Sequence, residues 1–273
     1  MAAARGDFEH RESGRVSENC YRARFCENAR MSSPPRYALG TTDAVSWLRT
    51  LPAESVDLVI TDPAYESLEK HRAIGTTTRL KHSKASSNDW FQVFPNTRFE
   101  ELFVELYRVL KRNTHCYMFC DQETMFVIKP IAEATGFRFW KPIIWDKCKI
   151  GMGYHYRAQY ECILFFEKGK RRLNNLAVPD VLTVPRIRSG YPTEKPVELA
   201  TILVEQSSVQ GESIADPFMG SGAFGVAAVS CGRNFLGTDI RPQAVELAER
   251  RLVERGARAE RVKKEPRKVA AAS

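Results

Sequence analysis

Two short motifs, each directly after an apolar run, constrain the fold and function of this chain more than any other feature. Asp62-Pro63-Ala64-Tyr65 follows the apolar run 56–61. Asp216-Pro217-Phe218-Met219-Gly220-Ser221-Gly222 follows a second run and begins 154 residues after Asp62. An acid–proline–aromatic tetrapeptide at the end of a strand suits a planar amine. A glycine-rich turn between strand and helix suits a nucleotide-like ligand. The amine motif comes first, and this order is informative about function.

Strand-like and helix-like patterns alternate through most of the chain. A helix is predicted to begin at 43–48, and a second, amphipathic helix is marked by Phe99, Leu102, Phe103, Leu106, Val109 and Leu110. Further strands are predicted at 56–61, 114–119, 213–215 and 235–238, and further helices at 196–204, 223–230 and 242–253. Segments 137–145 and 159–166 are predicted to form a hairpin. This alternation predicts an α/β fold with a mostly parallel sheet, helices on both faces and an antiparallel edge hairpin.

Composition limits the alternatives. The chain has 273 residues, 43% hydrophobic and 27% charged, which fits one large α/β domain. It has no apolar run long enough to span a membrane, and its seven cysteines include no Cys-x-x-Cys pair, so a cytoplasmic protein is predicted. Residues 1–35 are predicted to be a disordered N-terminal extension, with Met31 as an alternative start, and 36–254 to be the catalytic domain. Residues 255–273 are predicted to be a basic tail.

The distribution of charge favours a polyanionic partner. Net charge is +8, and residues 147–188 hold nine lysines and arginines against three acidic residues. A basic stretch on a nearly neutral body predicts a nucleic-acid-binding face. Lys168, Lys170, Arg171 and Arg172 are expected to face solvent and phosphate. The long segment 66–97 directly follows the first motif, so we expect it to cover the substrate.

The second motif predicts a nucleoside site. Gly220 and Gly222 allow a tight turn at a helix N-terminus, although their spacing is not that of a dinucleotide fold. Asp239 ends the next strand, 23 residues after Asp216, near the offset at which a carboxylate meets ribose hydroxyls. Thr193-Glu194-Lys195-Pro196 has two interpretations. It could cap the following helix, or it could direct a hydroxyl and a cation toward a small carboxylate.

Together these motifs resemble those of the β-class DNA amino-methyltransferases, which use S-adenosylmethionine (SAM). D-P-P-[YFW] matches residues 62–65, Thr-Glu-Lys-Pro matches 193–196, and F-x-G-x-G matches 218–222. The resemblance implies a seven-stranded methyltransferase sheet with a circularly permuted motif order. It implies catalytic roles for Asp62, Pro63, Ala64 and Tyr65. It also implies cofactor-binding roles for Asp43 (near the adenine ring), Thr193, Lys195, Asp216, Pro217, Phe218, Gly220, Ser221, Gly222 and Asp239 (at the ribose).

The implied chemistry is methylation of an exocyclic amine of a base in double-stranded DNA. Asp62 would accept one N–H and the carbonyl of Pro63 or Ala64 the other, while Tyr65 stacks on a flipped base. No metal is needed. Asp at position 62 favours adenine N6, and cytosine N4 is the alternative. Ala64 departs from the family's second proline, so a catalytically weak DNA-binding protein is a further alternative. A homodimer and a cognate restriction endonuclease are partners that the sequence leaves open.

Overall fold

A computed structural model of the chain describes residues 33–66, 92–151, 156–187, 191 and 193–260. The strands are β1 Arg36–Thr41, β2 Val56–Thr61, β3 Leu110–Cys120, β4 Arg138–Asp146, β5 Tyr160–Lys168, β6 Val181–Thr183, β7 Ser213–Asp216, β8 Asn234–Asp239 and β9 Arg258–Ala259. The α-helices are α1 Ala44–Thr50, α2 Phe99–Val109, α3 Gln122–Ala134, α4 Val197–Ser207, α5 Ala223–Ser230 and α6 Pro242–Glu254.

All nine strands form one sheet in the order β6-β4-β5-β3-β2-β7-β8-β1-β9. Every neighbouring pair is parallel except those made by β5, which runs antiparallel to both β3 and β4. The C-terminal ends of β1, β2, β3, β7 and β8 therefore lie along one edge, which we call the carboxyl edge. Their N-terminal ends define the amino edge. Because β5 is reversed, its first residues lie at the carboxyl edge.

Helices cover both faces of the sheet. Buried side chains of α1, α2 and α3 form one hydrophobic cluster, and those of α4, α5 and α6 form the other. Strand β2 contributes to both clusters, with Val59 on one face and Leu58 and Ile60 on the other. A continuous apolar run is what a strand buried on both faces requires. The predicted α/β architecture with helices on both faces is confirmed.

The predicted elements match the structure closely, but strand β1, helix α3 and the short strands β6 and β9 were not among them. The amphipathic pattern gives α2, whose apolar positions are buried, and the predicted hairpin gives β4 and β5. Helix α3 was not predicted. It contains Pro130, and Phe126 on its surface is 74% exposed, so its apolar pattern is a poor helix signal. The N-cap is Asp121, whose carboxylate accepts from the Thr124 amide.

The sheet is also larger than the predicted seven strands. The short strand β6 pairs with β4 outside the hairpin, and the two-residue β9 pairs with β1 at the other end. The ordered fold thus passes residue 254, where the sequence predicts the basic tail to begin. Residues 1–32, 67–91 and 261–273 lie outside the described residues, and so do the predictions made for them. Within the described part, no helix is long and apolar enough to cross a membrane.

Candidate active site

The first motif lies where β2 ends at the carboxyl edge. Tyr65 forms an isolated parallel bridge with Phe94, and the Ala64 carbonyl accepts a hydrogen bond of 2.6 Å from the Phe94 amide. Phe94 lies near the C-terminal end of segment 66–97, so this end of the predicted substrate-covering segment contacts the first motif. Of the two carbonyls that the sequence leaves as candidates, that of Ala64 already has a donor. The Pro63 carbonyl receives none from the described residues.

A partly buried cluster of alternating charges includes Asp62. The Lys195 ammonium, before α4, forms an ion pair with Asp62 and lies 3.4 Å from Glu161 on β5. Lys147, after β4, pairs with the other oxygen of Glu161 at 2.5 Å. The Lys195 side chain is only 8% exposed. The sequence predicted neither Glu161 nor Lys147, because no local pattern shows that the β4–β5 hairpin lies beside Asp62.

Burial and the neighbouring charges set the protonation of this cluster. Burial raises the pKa of Asp62, with Lys195 opposing the shift and Glu161 adding to it. Burial also acts against the charged form of Lys195, but Asp62 and Glu161 outweigh it and raise the pKa of the ammonium. For Glu161, Lys195 and Lys147 overcome burial and lower the carboxyl pKa. Lys195 is therefore a permanent cation at neutral pH.

A hydrogen bond joins the two motifs. The Thr61 hydroxyl, just before Asp62, donates to Asp216 Oδ1 at 2.8 Å, and the Phe218 amide donates to the same oxygen at 3.0 Å. The other oxygen, Asp216 Oδ2, is buried and has no hydrogen-bond partner among the described residues. Burial raises the pKa of this carboxyl to about 8. The register of β2 with β7 thus fixes the distance between the amine motif and the glycine turn.

The glycine turn needs its glycines. Gly222 is the N-cap of α5 with φ 75°, and a Cβ there would lie 2.7 Å from the Ala248 Cβ. Asp239 at the end of β8 accepts from the Gly220 amide at 3.0 Å and from the Arg241 amide at 2.9 Å. The predicted ribose carboxylate is therefore fixed against the turn itself. Its pKa is raised by burial.

A second link ties the turn to the Thr-Glu-Lys-Pro element. Arg251 on α6 donates to the Ser221 carbonyl at 2.8 Å and pairs with Glu194 at 2.7 Å. The preceding Thr193 is exposed and has φ 56°. Pro196 is the N-cap of α4, but no side chain makes a capping hydrogen bond at this helix N-terminus, so the structure supports the helix-cap interpretation only in the position of the proline.

These features fit a nucleoside ligand at the glycine turn. Gly220 and Gly222 have positive φ, which lets the backbone of the turn come close to a ligand. The N-terminus of α5 follows the turn, and one buried oxygen of Asp216 has no hydrogen-bond donor among the described residues. The match to a family model described as "DNA methylase", covering N6 and N4 enzymes, spans residues 56–250. The chain belongs to the N6/N4 DNA methylase family. It is thus a DNA amino-methyltransferase by family.

Relatives and solved structures agree with this assignment. DNA adenine methyltransferase YhdJ from Escherichia coli (strain K12) is 29% identical over 250 residues, covering 77% of this chain and 80% of that protein. Type II methyltransferase M.HpaI from Haemophilus parainfluenzae is 25% identical over 239 residues, covering 77% and 72%. The M1.HpyAVI–SAM complex has a TM-score of 0.59 at 22% identity, covering 79% of this chain and 99% of that chain. PvuII DNA methyltransferase, titled cytosine-N4-specific, has a TM-score of 0.58 at 14% identity, covering 80% and 87%. These structural matches show the fold.

Asp43 of this DNA methylase lies beyond β1, whose last residue pairs with Asp239, so both acids lie at the carboxyl edge. Its carboxylate caps α1 through the Ser46 amide at 3.1 Å and pairs with Arg98 at 2.8 Å. Hydrogen bonding to Arg98 lowers the pKa of Asp43 to about 2. The acid predicted to lie near an adenine ring is therefore fully ionised and already held by an arginine.

One part of the predicted DNA face is wrong. Lys168 is buried, and its ammonium donates to the carbonyls of Tyr107 and Leu110 at 2.7 and 2.6 Å. These carbonyls lie at the C-terminal end of α2, where orphan acceptors attract a cation. Arg171 pairs with Glu212 at 3.0 Å. Lys170 and Arg172 are exposed, but the whole group follows β5 at the amino edge, away from Asp62.

Proposed function

We propose that this DNA methylase transfers a methyl group from SAM to N6 of an adenine flipped out of double-stranded DNA. The observation that carries the proposal is the connection between the two motifs. A carboxylate acceptor at the end of β2 and a glycine turn at the end of β7 are held together by the Thr61–Asp216 hydrogen bond of 2.8 Å. An amine site and a nucleoside site thus lie side by side at one edge.

The cofactor-binding residues of the proposal surround the glycine turn. They are Asp43, Thr193, Asp216, Pro217, Phe218, Gly220, Ser221, Gly222 and Asp239, with Lys195 nearby at the acid. SAM, when bound, supplies an electrophilic methyl group on a sulfonium. The chain contributes positioning, because the turn is braced from two sides by Asp239 and by the Arg251–Glu194 pair. A braced site holds two reactants in line at a small entropic cost.

The catalytic residues of the proposal act on the target amine. An exocyclic base amine is a poor nucleophile because its lone pair is delocalised into the ring. Asp62 Oδ1 would accept one N–H and the Pro63 carbonyl the other, which favours a tetrahedral nitrogen with a localised lone pair. Ala64 supports this geometry indirectly, through its hydrogen bond to Phe94. Tyr65 would stack on the flipped base.

The preference for adenine rests on residue 62 and on one relative. By the family resemblance, enzymes of the cytosine N4 type more often carry serine at the position of Asp62, so aspartate there favours adenine. The relative at 29% identity is named a DNA adenine methyltransferase, whereas a cytosine-N4-specific enzyme shares the fold at 14% identity. Cytosine N4 is the second candidate because the same acceptors would hold its amine.

Product analysis tests the proposal. Unmethylated genomic DNA is incubated with the full-length protein and SAM, digested to nucleosides and analysed by mass spectrometry. We expect N6-methyladenine, and none with Asp62→Ala. Detection of N4-methylcytosine alone would show that cytosine, and not adenine, is the target. Absence of both products, with calorimetry showing that SAM does not bind, would favour the catalytically weak DNA-binding protein.

A further inference from the structure

Four alternating charges, with the proposed catalytic acid among them, come from four separate segments. Lys147 follows β4, Glu161 lies on β5, Lys195 precedes α4, and Asp62 follows β2. The arrangement sums to zero charge, which limits the electrostatic cost of burying it. Lys195 is the only member under one tenth exposed, since the other three side chains are 20–22% exposed.

Lys195 divides its charge between two carboxylates. It contacts Asp62 only at Oδ2, so Oδ1 has no partner among the described residues. On the other side, Glu161 Oε2 is buried and has no hydrogen bond from the described part of the chain, and the 3.4 Å ion pair to Lys195 is its compensation. Lys147 holds the second Glu161 oxygen at 2.5 Å and so fixes the direction of Oε2. The ammonium is therefore attracted from two sides.

We propose that Glu161 is a positioning residue for the transfer: it shares the Lys195 ammonium with Asp62 and leaves the open Asp62 oxygen a strong hydrogen-bond acceptor for the target amine. This inference rests on the proposed function, because it concerns the same acid. Without Glu161, Lys195 would belong to Asp62 alone and would weaken the carboxylate as a hydrogen-bond acceptor. Lys195 is thereby assigned to the acid and not to the small carboxylate predicted from the sequence.

Several titratable groups face Asp62, and their effects must be separated. They are Lys195, Glu161, Lys147, Tyr65, Cys120 and Asp216. Substitution of Glu161 removes a like charge, so the Asp62 carboxylate should become harder to protonate. Substitution of Lys147 should act in the opposite direction, because it removes a positive charge that stabilises the Asp62 carboxylate. Two opposite shifts from two residues that do not touch the amine distinguish positioning from a general loss of structure.

The experiment measures Asp62 directly in the full-length protein. Carbon-13 NMR of labelled aspartate follows the Asp62 carboxyl against pH, with the signal assigned by Asp62→Asn. In Glu161→Gln we expect the titration to move down by roughly one pH unit, the size expected for a nearby like charge. In Lys147→Met it should move up. An unchanged titration in either variant would overturn the inference, and the NMR measurement needs no methyl transfer.

Kinetics gives the second readout. Glu161→Gln should lower kcat about tenfold, move the acid limb of the kcat/KM profile to lower pH and leave KM for SAM unchanged. Glu161→Asp keeps the negative charge, so the acid limb of its kcat/KM profile should lie at the same pH as in the wild type. Glu212→Gln is the matched control, because Glu212 is 21% exposed and paired with an arginine at the amino edge. If the wild-type protein methylates no base, the proposed function fails while the NMR result still decides the role of Glu161.

Discussion

The two edges of the sheet treat buried charge differently. At the amino edge, Asp57 accepts from Lys111 at 2.7 Å and from the Ser213 amide at 2.9 Å, and Lys168 donates to two carbonyls. At the carboxyl edge, one oxygen of Asp216 and one of Glu161 are buried without a hydrogen bond from the described residues. A satisfied network stabilises the fold, whereas an unsatisfied one is where a ligand gains binding energy. The proposed site therefore lies at the edge where buried polar groups are less well satisfied.

The largest expected effect comes from substituting the proposed catalytic acid at the carboxyl edge. Asp62→Ala should lower kcat by about 10²–10³-fold, because it removes an acceptor for the target amine, while SAM affinity stays nearly unchanged. Asp62→Asn keeps an acceptor oxygen and should retain measurable transfer. Single-turnover methylation and calorimetry give the two quantities. Full activity of the alanine variant would remove Asp62 from the mechanism.

The next prediction concerns the stability of the glycine turn. A second glycine with a similar φ separates the cost of backbone strain from the cost of a steric clash. Gly222→Ala should destabilise the protein by about 1–2 kcal/mol from its positive φ alone, and further because its Cβ would collide with Ala248. Gly211 has a similar φ of 85°, but a Cβ there meets nothing within 4 Å. Denaturant unfolding of both variants measures the difference. Equal losses would mean that the turn has room to relax.

Neutralising exposed basic residues at each edge tests which edge of the sheet binds DNA. Lys149 and Arg157 are exposed near the hairpin tip at the carboxyl edge, whereas Lys170 and Arg172 are exposed at the amino edge. Neutralising the first pair should reduce the salt slope of DNA binding by about 0.9 per lost phosphate contact. Neutralising the second pair should leave the slope unchanged. Binding isotherms at several salt concentrations decide which edge faces DNA, and the reverse pattern would contradict this assignment.

A further prediction concerns the dependence of stability on pH. The folded pKa of Asp216 is about 8, above the ordinary 3.8, so the folded state retains a proton that the unfolded chain has released. The ligand-free protein should therefore lose stability as pH rises from about 4 to 8. Asp216→Asn should flatten this dependence. Urea unfolding at several pH values measures it, and a slope equal to that of the wild type would show that Asp216 is ionised when buried.

Local patterns predicted most of the fold, because each element carries its own signal. The apolar run of β2 and the spacing of Phe99, Leu102 and Leu106 define their elements without reference to the rest of the chain. Contacts between distant residues were harder. The Lys195–Asp62 pair joins positions 133 residues apart, and no local pattern indicates that Glu161 shares the same cation. The prediction that Lys168 faces solvent was wrong for a related reason, since its acceptors are the carbonyls at the C-terminal end of α2.

The position of β1 in the sheet affects how the chain folds during synthesis. Strand β1 is made first but lies between β8 and β9, which end at Asp239 and Ala259. Until the ribosome has released that distant third of the chain, both edges of β1 lack their backbone partners. Strand β2 likewise waits for β7 on one side. Nascent chains of this protein thus expose pairing-competent edges for most of translation, when chaperones protect such edges from association with other chains.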